Sequence, residues 1–193
     1  MKLNLGSGQF RKVGYVNVDV YPELKPDIVH NLDVTPYPFK DDTFERIEAD
    51  HVLEHLSDPF VVMREIRRIA KAGAHCSIRV PHFSRGFTHA DHKRGFDVTF
   101  PCYFNRHFKG GYCGTDLTLK KVRLTWFAQL YLKRDLMPVP LFYIARFLGA
   151  CIDFCANLHP YICSRIWCFW VGGFDEVSFE FIVEKNSTLP DIS

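Results

Sequence analysis

Short apolar stretches alternate with polar turns along the first 81 residues, a pattern typical of β-strands joined by loops. Five runs of four to eight residues are rich in β-branched, aromatic or other apolar side chains. We expect strands at Lys2–Leu5, Tyr15–Val20, Asp27–Leu32, Phe44–Asp50 and Ala74–Pro81. Short strands that follow one another through crossovers predict an α/β fold with a largely parallel sheet.

One amphipathic helix is predicted between the fourth and fifth strands. Apolar side chains such as Val62 and Ile66 recur at helical spacing over residues 58–71. Ser57 is the expected N-cap, because a serine hydroxyl can accept a hydrogen bond from the first turn. Basic side chains such as Arg68 occupy another face of this helix and are expected to be solvated.

The end of the chain predicts two further strands and an apolar insertion. Strands are expected at Val122–Leu130 and Glu176–Lys185, and the alternation within the second suits an antiparallel strand. Between them, the apolar segment Leu136–Gly173 is divided by prolines into two short predicted helices. Residues 1–193 are thus expected to form a single domain, a Rossmann-like sheet with helices on both faces.

Polar residues and glycines follow the predicted strands at their carboxyl ends. These positions are Gly6–Gly8, Asp19, Asp33, Asp50, His51 and His82. Ligands of open α/β sheets bind at this edge, and core packing does not explain the coincidence. The pattern therefore predicts one crevice along a single sheet edge.

Composition and charge limit which partners the protein can be expected to bind and in which cellular compartment it can be expected. The chain is 47% hydrophobic and 24% charged with a net charge of +2, so a nucleic-acid partner is not expected. Residues 79–134 hold 11 basic and 3 acidic side chains, which either face an anionic partner or are solvated. Seven cysteines argue against a secreted disulfide framework, and no signal peptide precedes the first strand, so we expect a cytoplasmic protein.

The first turn, "GSG" at Gly6–Gly8, suits a nucleoside more than a nucleotide. A strand, a glycine turn and a second strand ending in an acid form a nucleoside-binding arrangement. A third glycine, which the dinucleotide fingerprint needs at the helix start, is missing, and the residues after Gly8 lack the lysine of a P-loop. A nucleoside without phosphates fits this turn best.

Three segments together resemble class I S-adenosylmethionine-dependent methyltransferases of a small single-domain type. They are "LNLGSG", "NVD" and "NLDVTPYPFKDDTFERIEADHVLEHLSDP", within residues 2–81, and the ending "FEFIVEK" is also similar. The likeness extends loosely to methyltransferases of bacterial surface glycans. It implies the class I sheet and S-adenosyl-L-methionine as the methyl donor.

The resemblance implies a role for each matched residue on the adenosine side. The turn of Gly6, Ser7 and Gly8 should lie under the ribose and the methionine moiety. Asp19 should accept hydrogen bonds from the ribose hydroxyls. Leu32 should contact the adenine ring, and Asp33 should accept a hydrogen bond from its amino group.

On the sulfonium side, the resemblance implies Asp50 and His51 as lining residues. Asn4 stands where family members commonly have an acid, so it holds a water or the turn backbone but supplies no negative charge. The crossover from Gly6 to Gly14 is too short for a regular helix.

The segment after the fifth strand holds the candidate catalytic residues His82, His89, Asp91 and His92. A hydroxyl nucleophile needs its proton removed, and His89 or His92 would be the base with Asp91 orienting it. The same side chains also suit a surface loop or a metal ion. "HVLEH" places two histidines four residues apart, but without a third ligand we expect no metal site.

The apolar insertion bears on the methyl acceptor. Residues 136–173 should either pack over the acceptor site or lie in a membrane interface. In the second case the protein would be peripheral at the membrane. With the basic middle segment, this favours a hydroxyl of a small-molecule, sugar or lipid-linked acceptor. Two other functions stay open: a degenerate scaffold with the methyltransferase fold, and a nicotinamide-dependent oxidoreductase.

Overall fold

A computed structural model describes residues 1–86 and 89–185 of the chain. Seven β-strands form one sheet. They are β1 (Lys2–Leu5), β2 (Val16–Asp19), β3 (Ile28–Val29), β4 (Phe44–Asp50), β5 (Ala70–Pro81), β6 (Thr118–Thr125) and β7 (Glu176–Ile182). The sixth strand begins before its predicted start and ends before residue 126, because the chain turns there toward the insertion.

The strand order of the sheet is β3-β2-β1-β4-β5-β7-β6. Strands β1 to β5 pair in parallel, whereas β7 is antiparallel to both β5 and β6. The predicted fold class, a mostly parallel Rossmann-like sheet with an antiparallel last strand, is confirmed. Since β7 runs in the opposite direction, its first residues lie at the edge where the parallel strands end.

Five α-helices accompany the sheet in the described residues. They are α1 (Pro59–Ile69), α2 (Phe83–Gly86), α3 (Leu130–Leu136), α4 (Val139–Ala156) and α5 (Pro160–Arg165). The insertion before β7 is helical as predicted and contains two α-helices, α4 and α5, but only α5 is short. Pro138 and Pro140 lie at the start of α4, where a missing amide proton has no consequence, so this helix continues for 18 residues.

Helix α1 forms where its amphipathic pattern predicted it, with two local differences. Its N-cap is Asp58, whose carboxylate accepts hydrogen bonds from the amides of Phe60 and Val61, and not Ser57. Val62 and Ile66 are buried against the apolar face of the sheet. Arg68 is not simply solvated, because its guanidinium donates to backbone carbonyls of residues 37 and 39 and pairs with Glu65 and Asp41.

The two faces of the sheet differ in polarity. In β1, Leu3 and Leu5 belong to the apolar core, while Asn4 points to the other face beside Asn17 and Glu48 of the neighbouring strands. In the part of the chain that the structure describes, the first three crossovers contain no α-helix. The loop after β1 covers this polar face instead, through hydrogen bonds from Asn4 to the carbonyl of Phe10 and from the amide of Lys12 to Asn17.

The first turn needs glycine at residue 6 for a steric reason. Gly6 has φ +62°, and a Cβ atom there would lie 2.4 Å from Cγ2 of Val52. Gly8 also has a positive φ of +50°, but a Cβ atom there would meet nothing within 4 Å among the described residues. The turn is therefore packed tightly on the segment after β4 at Gly6 and is open at Gly8.

This difference predicts unequal costs for two alanine substitutions. Gly8→Ala should lower the free energy of unfolding by about 1–2 kcal/mol, the cost of a left-handed backbone for a residue with Cβ. Gly6→Ala should cost about 1–3 kcal/mol more, because Val52 must also move. Urea denaturation of both variants measures the difference, and equal losses would contradict the close packing at Gly6.

Candidate active site

The first turn and the acid at the end of β2 meet at the carboxyl edge of the sheet. The amide of Gly8 donates a 2.7 Å hydrogen bond to Oδ2 of Asp19, and the amide of Ser7 donates to the carbonyl of Val18. Asp19 is only 7% exposed, and its Oδ1 accepts from the amide of Tyr21. Ser7 Oγ is buried and has no hydrogen-bond partner within the described residues. These groups stand together as the predicted nucleoside site requires.

The two residues predicted at the adenine have different environments. Asp33 is exposed and accepts hydrogen bonds from the amide and the hydroxyl of Ser57, at 2.7 and 3.1 Å. Leu32 is buried in the core, and its carbonyl accepts a hydrogen bond from the Tyr37 hydroxyl. Asp33 thus lies beside the loop that leads into α1, while the Leu32 side chain packs inward.

Asn4 and Asp50 take part in the polar face of the sheet. The Asn4 amide bonds to Asn17 and to the carbonyl of Phe10, so it holds the turn backbone, as one of its two predicted roles requires. Asp50 is ion-paired with Lys12 at 2.8 Å. Its negative charge is therefore partly compensated on this face, while its Oδ1 is buried and has no hydrogen-bond partner within the described residues.

A cavity of about 330 Å³ opens at the same edge. His51 lines it in a left-handed backbone conformation, and its Nε2 lies 2.9 Å from a Glu176 carboxylate oxygen. Burial acts to lower the pKa of His51, but the hydrogen bond to Glu176 and the charges of Glu176 and Glu54 outweigh it and raise this pKa to about 9. His51 is therefore an imidazolium in the wall of the cavity.

Two of the four predicted catalytic residues reach this cavity. His89 and His92 line it, with their rings stacked at a centroid distance of 4.7 Å. Asp91 is exposed and not among the lining residues; its backbone carbonyl contacts Nδ1 of His55. The structure therefore brings His89 and His92 to the cavity and leaves the Asp91 carboxylate outside it.

His82 lies in the core and not in the cavity, so the structure does not support it as a base. Its Nδ1 is 2.7 Å from the Ser84 hydroxyl and its Nε2 is 2.8 Å from the Ser164 hydroxyl. Burial lowers the pKa of His82 to about 4, although the charge of Asp97 acts in the opposite direction. This histidine joins the end of β5 to α5 as a neutral hydrogen-bonding group.

Several lining residues were not singled out from the sequence. Glu54, Arg85, Lys133 and Asp175 line the cavity. Glu54 lies inside the quoted "HVLEHL" motif, whereas Lys133 lies in α3, ahead of the insertion, and has no local signal. Asp175 directly precedes β7, and the antiparallel direction of that strand could have indicated its position at this edge.

Helix α3, which directly precedes the insertion, borders the site. Leu132 of α3 lines the cavity, and Tyr131 makes an edge-to-face contact with Phe10 at a ring-centroid distance of 5.0 Å. The loop after β1 and α3 thus contact each other beside the cavity. Among the described residues that line the cavity, none belongs to 136–173, so the position of the insertion over the acceptor site stays a prediction.

The buried His82 predicts a loss of stability in acid. Above pH 6.5 it is neutral in both states, whereas between pH 6.5 and about 4 the unfolded chain binds a proton that the folded chain does not. The free energy of unfolding should therefore fall by about 2–3 kcal/mol from this group between pH 7 and pH 4.5. Denaturant titrations at both pH values measure it.

His82→Gln should be less stable at pH 7 but should lack this component of the pH dependence. The matched control is His75→Gln, an exposed histidine in β5, which should retain the wild-type slope. A His82→Gln variant with an unchanged slope would show that His82 does not resist protonation.

A scan against family models matches residues 11–78 to the model described as "Methyltransferase domain". This range contains Asp19, Asp33, Asp50, His51 and Glu54. No curated protein matches the sequence significantly. The family match therefore covers the β2–β5 part of the chain, which forms one side of the cavity.

Solved structures match nearly the whole chain in fold. One is a chain from the complex between the Haloferax volcanii Trm112 methyltransferase activator and a methyltransferase, with a TM-score of 0.57, 15% identity, and coverage of 95% of this chain and 82% of that chain. The YcgJ protein from Bacillus subtilis has a TM-score of 0.55, 13% identity and coverage of 95% and 92%. A SAM-dependent methyltransferase from Archaeoglobus fulgidus has a TM-score of 0.54, 13% identity and coverage of 94% and 85%.

These findings confirm the likeness to class I methyltransferases that the sequence motifs indicated, and S-adenosyl-L-methionine is the methyl donor that this class uses. The chain therefore has the class I S-adenosylmethionine-dependent methyltransferase fold, with a methyltransferase domain match over residues 11–78.

Proposed function

We propose that this protein transfers the methyl group of S-adenosyl-L-methionine to a hydroxyl of a sugar or lipid-linked acceptor. The observation that supports it most is the hydrogen bond between Gly8 and Asp19, which joins the glycine turn to the strand-end acid. The adenosyl group would lie over the open side of Gly8, with its ribose hydroxyls donating to Asp19. The sulfonium would then face the cavity lined by His51.

The geometry of the turn opposes the nicotinamide alternative. A dinucleotide site needs a helix whose N-terminus receives the pyrophosphate directly after the glycine turn. Residues 9–15, all of them described, form a loop and no helix. An uncharged nucleoside moiety needs no such helix, so this loop is compatible with an adenosyl group.

The cavity supplies groups for the acceptor. Arg85 and Lys133 both line the cavity and both ion-pair with the single carboxylate of Asp175, and the excess of positive charge in this trio suits an anionic group on the acceptor. Burial and the nearby Arg85 lower the pKa of Lys133 to about 8. His89 is exposed at the cavity and is our candidate base for the acceptor hydroxyl, because an imidazole near neutral pH both binds and releases protons. Transfer itself requires mainly alignment of the oxygen with the methyl carbon.

Binding of S-adenosylmethionine and of its demethylated product by calorimetry tests the donor site. Asp19→Ala should weaken both by roughly 10- to 100-fold, because a hydrogen bond to a charged carboxylate contributes about 1.5–3 kcal/mol. The control is Glu180→Gln, an exposed acid on β7, which should bind like the wild type. Incubation with labelled donor and a glycolipid extract, followed by mass spectrometry, then identifies the methylated product.

Two outcomes would overturn parts of this proposal. Unchanged affinity in Asp19→Ala would remove Asp19 from the ribose role. If the wild type bound neither compound, the degenerate scaffold would be favoured over the enzyme.

We further propose that the protein is cytoplasmic and contacts the membrane surface through its insertion. Among the described residues, α4 is long and apolar enough to cross a membrane by length and composition, and only 28% of it is buried. Large apolar side chains of the insertion are exposed, among them Phe147 (70%), Phe154 (72%) and Trp170 (78%). Arg134 and Arg146 are exposed nearby, which suits anionic headgroups.

An interface contact fits these features better than a membrane-spanning helix. Asp153 of α4 accepts a 2.6 Å hydrogen bond from the amide of Trp126, and Asn157 after α4 bonds to the backbone of Leu124 in β6. The end of α4 is thus fastened to the sheet edge. Aromatic and apolar side chains on its outer side would enter only the headgroup region.

Vesicle flotation tests the membrane contact. The wild type should float with vesicles that contain anionic phosphatidylglycerol and less with purely zwitterionic phosphatidylcholine. Phe147→Ser with Phe154→Ser should reduce the bound fraction several-fold, because each exposed aromatic side chain contributes about 1.5–3 kcal/mol on full burial.

Val13→Ser with Val34→Ser, which alters exposed valines elsewhere, is the matched control and should float like the wild type. An absence of flotation in all arms would overturn the membrane contact. Concentration-dependent dimerisation without flotation would instead indicate a second copy on this surface.

A further inference from the structure

Three potential metal ligands meet in the cavity wall: Glu54, His55 and His92. One ligand atom from each lies within 4.8 Å of the others. Oε1 of Glu54 is 4.0 Å from Nε2 of His55 and 3.9 Å from Nε2 of His92. These separations are too long for hydrogen bonds. Two ligand atoms that bind the same ion at about 2.1 Å are at most about 4.2 Å apart. The observed separations fall within this limit.

Glu54 is a buried carboxylate without a hydrogen bond. Its side chain is 0% exposed, and within the described residues neither oxygen has a hydrogen-bond partner. The nearest charged neighbour, Nδ1 of His51, is 3.4 Å from Oε1, an ion-pair distance. Because a buried polar group without a partner is costly, such a carboxylate indicates an additional ligand.

Both histidines are oriented as metal ligands usually are. Nδ1 of His92 lies 2.5 Å from the carbonyl of Gly86, and Nδ1 of His55 lies 3.2 Å from the carbonyl of Asp91. A carbonyl only accepts, so each Nδ1 is the donor, and this leaves each Nε2, on the side of Glu54, as the nitrogen with which a neutral ring would bind a metal ion. Donation of the outer N–H to a backbone carbonyl is the arrangement that fixes metal-binding histidines.

We propose that Glu54, His55 and Nε2 of His92 bind a divalent transition-metal ion at the cavity wall. Two histidines and one carboxylate form a ligand set with open coordination positions, as in catalytic zinc and non-haem iron sites. This differs from the expectation of no metal site, which considered the two "HVLEH" histidines, His51 and His55. The proposed site uses only His55 of that pair, together with Glu54, and the loop after β5 adds His92 by returning over the turn after β4.

If the proposed methyl transfer holds, the ion would act on the acceptor. Because all three ligands line the cavity, an ion held by them would be reached from the cavity, where it would bind the acceptor hydroxyl oxygen and lower its pKa. The hydroxyl proton would pass to His89 or water. The oxygen would form its bond to the methyl carbon as the bond from that carbon to the sulfur breaks, with the electron pair remaining on sulfur.

Calorimetric titration of untagged, chelator-treated protein with Zn²⁺ tests the site itself. We expect one ion per chain, and a Co²⁺ titration should give a visible absorption band of nitrogen and oxygen coordination. His92→Ala and His55→Ala should each weaken Zn²⁺ binding at least about 10-fold, and Glu54→Gln should do the same. His75→Ala removes an exposed histidine of β5 and should leave binding unchanged.

Each outcome is decisive. Weak binding at several sites in the wild type, or unchanged binding in His92→Ala, would overturn the metal site. His92 lies in a loop, so its variant keeps the test valid if Glu54→Gln fails to fold. S-adenosylmethionine binding measured on the same samples separates the two proposals. Donor binding without Zn²⁺ binding would overturn only the metal site. Zn²⁺ binding without donor binding would overturn only the methyl transfer.

Discussion

Parallel pairing of β1, β4 and β5 is the constraint on which the rest of the site depends. Because these strands run in one direction, their ends present the glycine turn, His51 with Glu54, and the loop of His89 and His92 at one edge. Antiparallel β7 then adds Asp175 and Glu176 from its start. No single segment contains the cavity; neighbouring strands assemble it.

The carboxylates at this edge differ in how well they are paired with cations and hydrogen-bond donors. On the polar sheet face, Asp50 and Glu48 are compensated by Lys12. In the cavity wall, Glu54 has His51 at ion-pair distance but no hydrogen bond. The charge of this carboxylate is balanced by His51, but its oxygens still lack hydrogen bonds within the described residues, and two imidazole nitrogens lie where an ion bound to Glu54 would also be bound. The cavity therefore combines a donor-side turn with a site suited to activate an oxygen.

The first crossovers are short and contain no α-helix in the described residues, whereas most of the helices lie between β6 and β7. The loop after β1 replaces a helix, and amide side chains of Asn4 and Asn17 hold it on the sheet by hydrogen bonds to its backbone. The insertion provides much of the remaining helical structure, with α4 along the edge of β6, and it follows directly after α3, which lines the cavity. Neighbouring segments thus join the cavity to an exposed apolar surface, which is consistent with an acceptor that is attached to lipid.

The sequence by itself determined the strand pattern, helix α1, the fold class and the convergence of the glycine turn with Asp19, because these follow from local periodicity and from the direction of parallel strands. Tertiary structure alone decided the roles of individual histidines. His82 and His92 lie in the same polar segment, yet one packs into the core between serine hydroxyls and the other faces Glu54. Burial and partners from distant segments determine such differences, and neither is encoded in spacing along the chain.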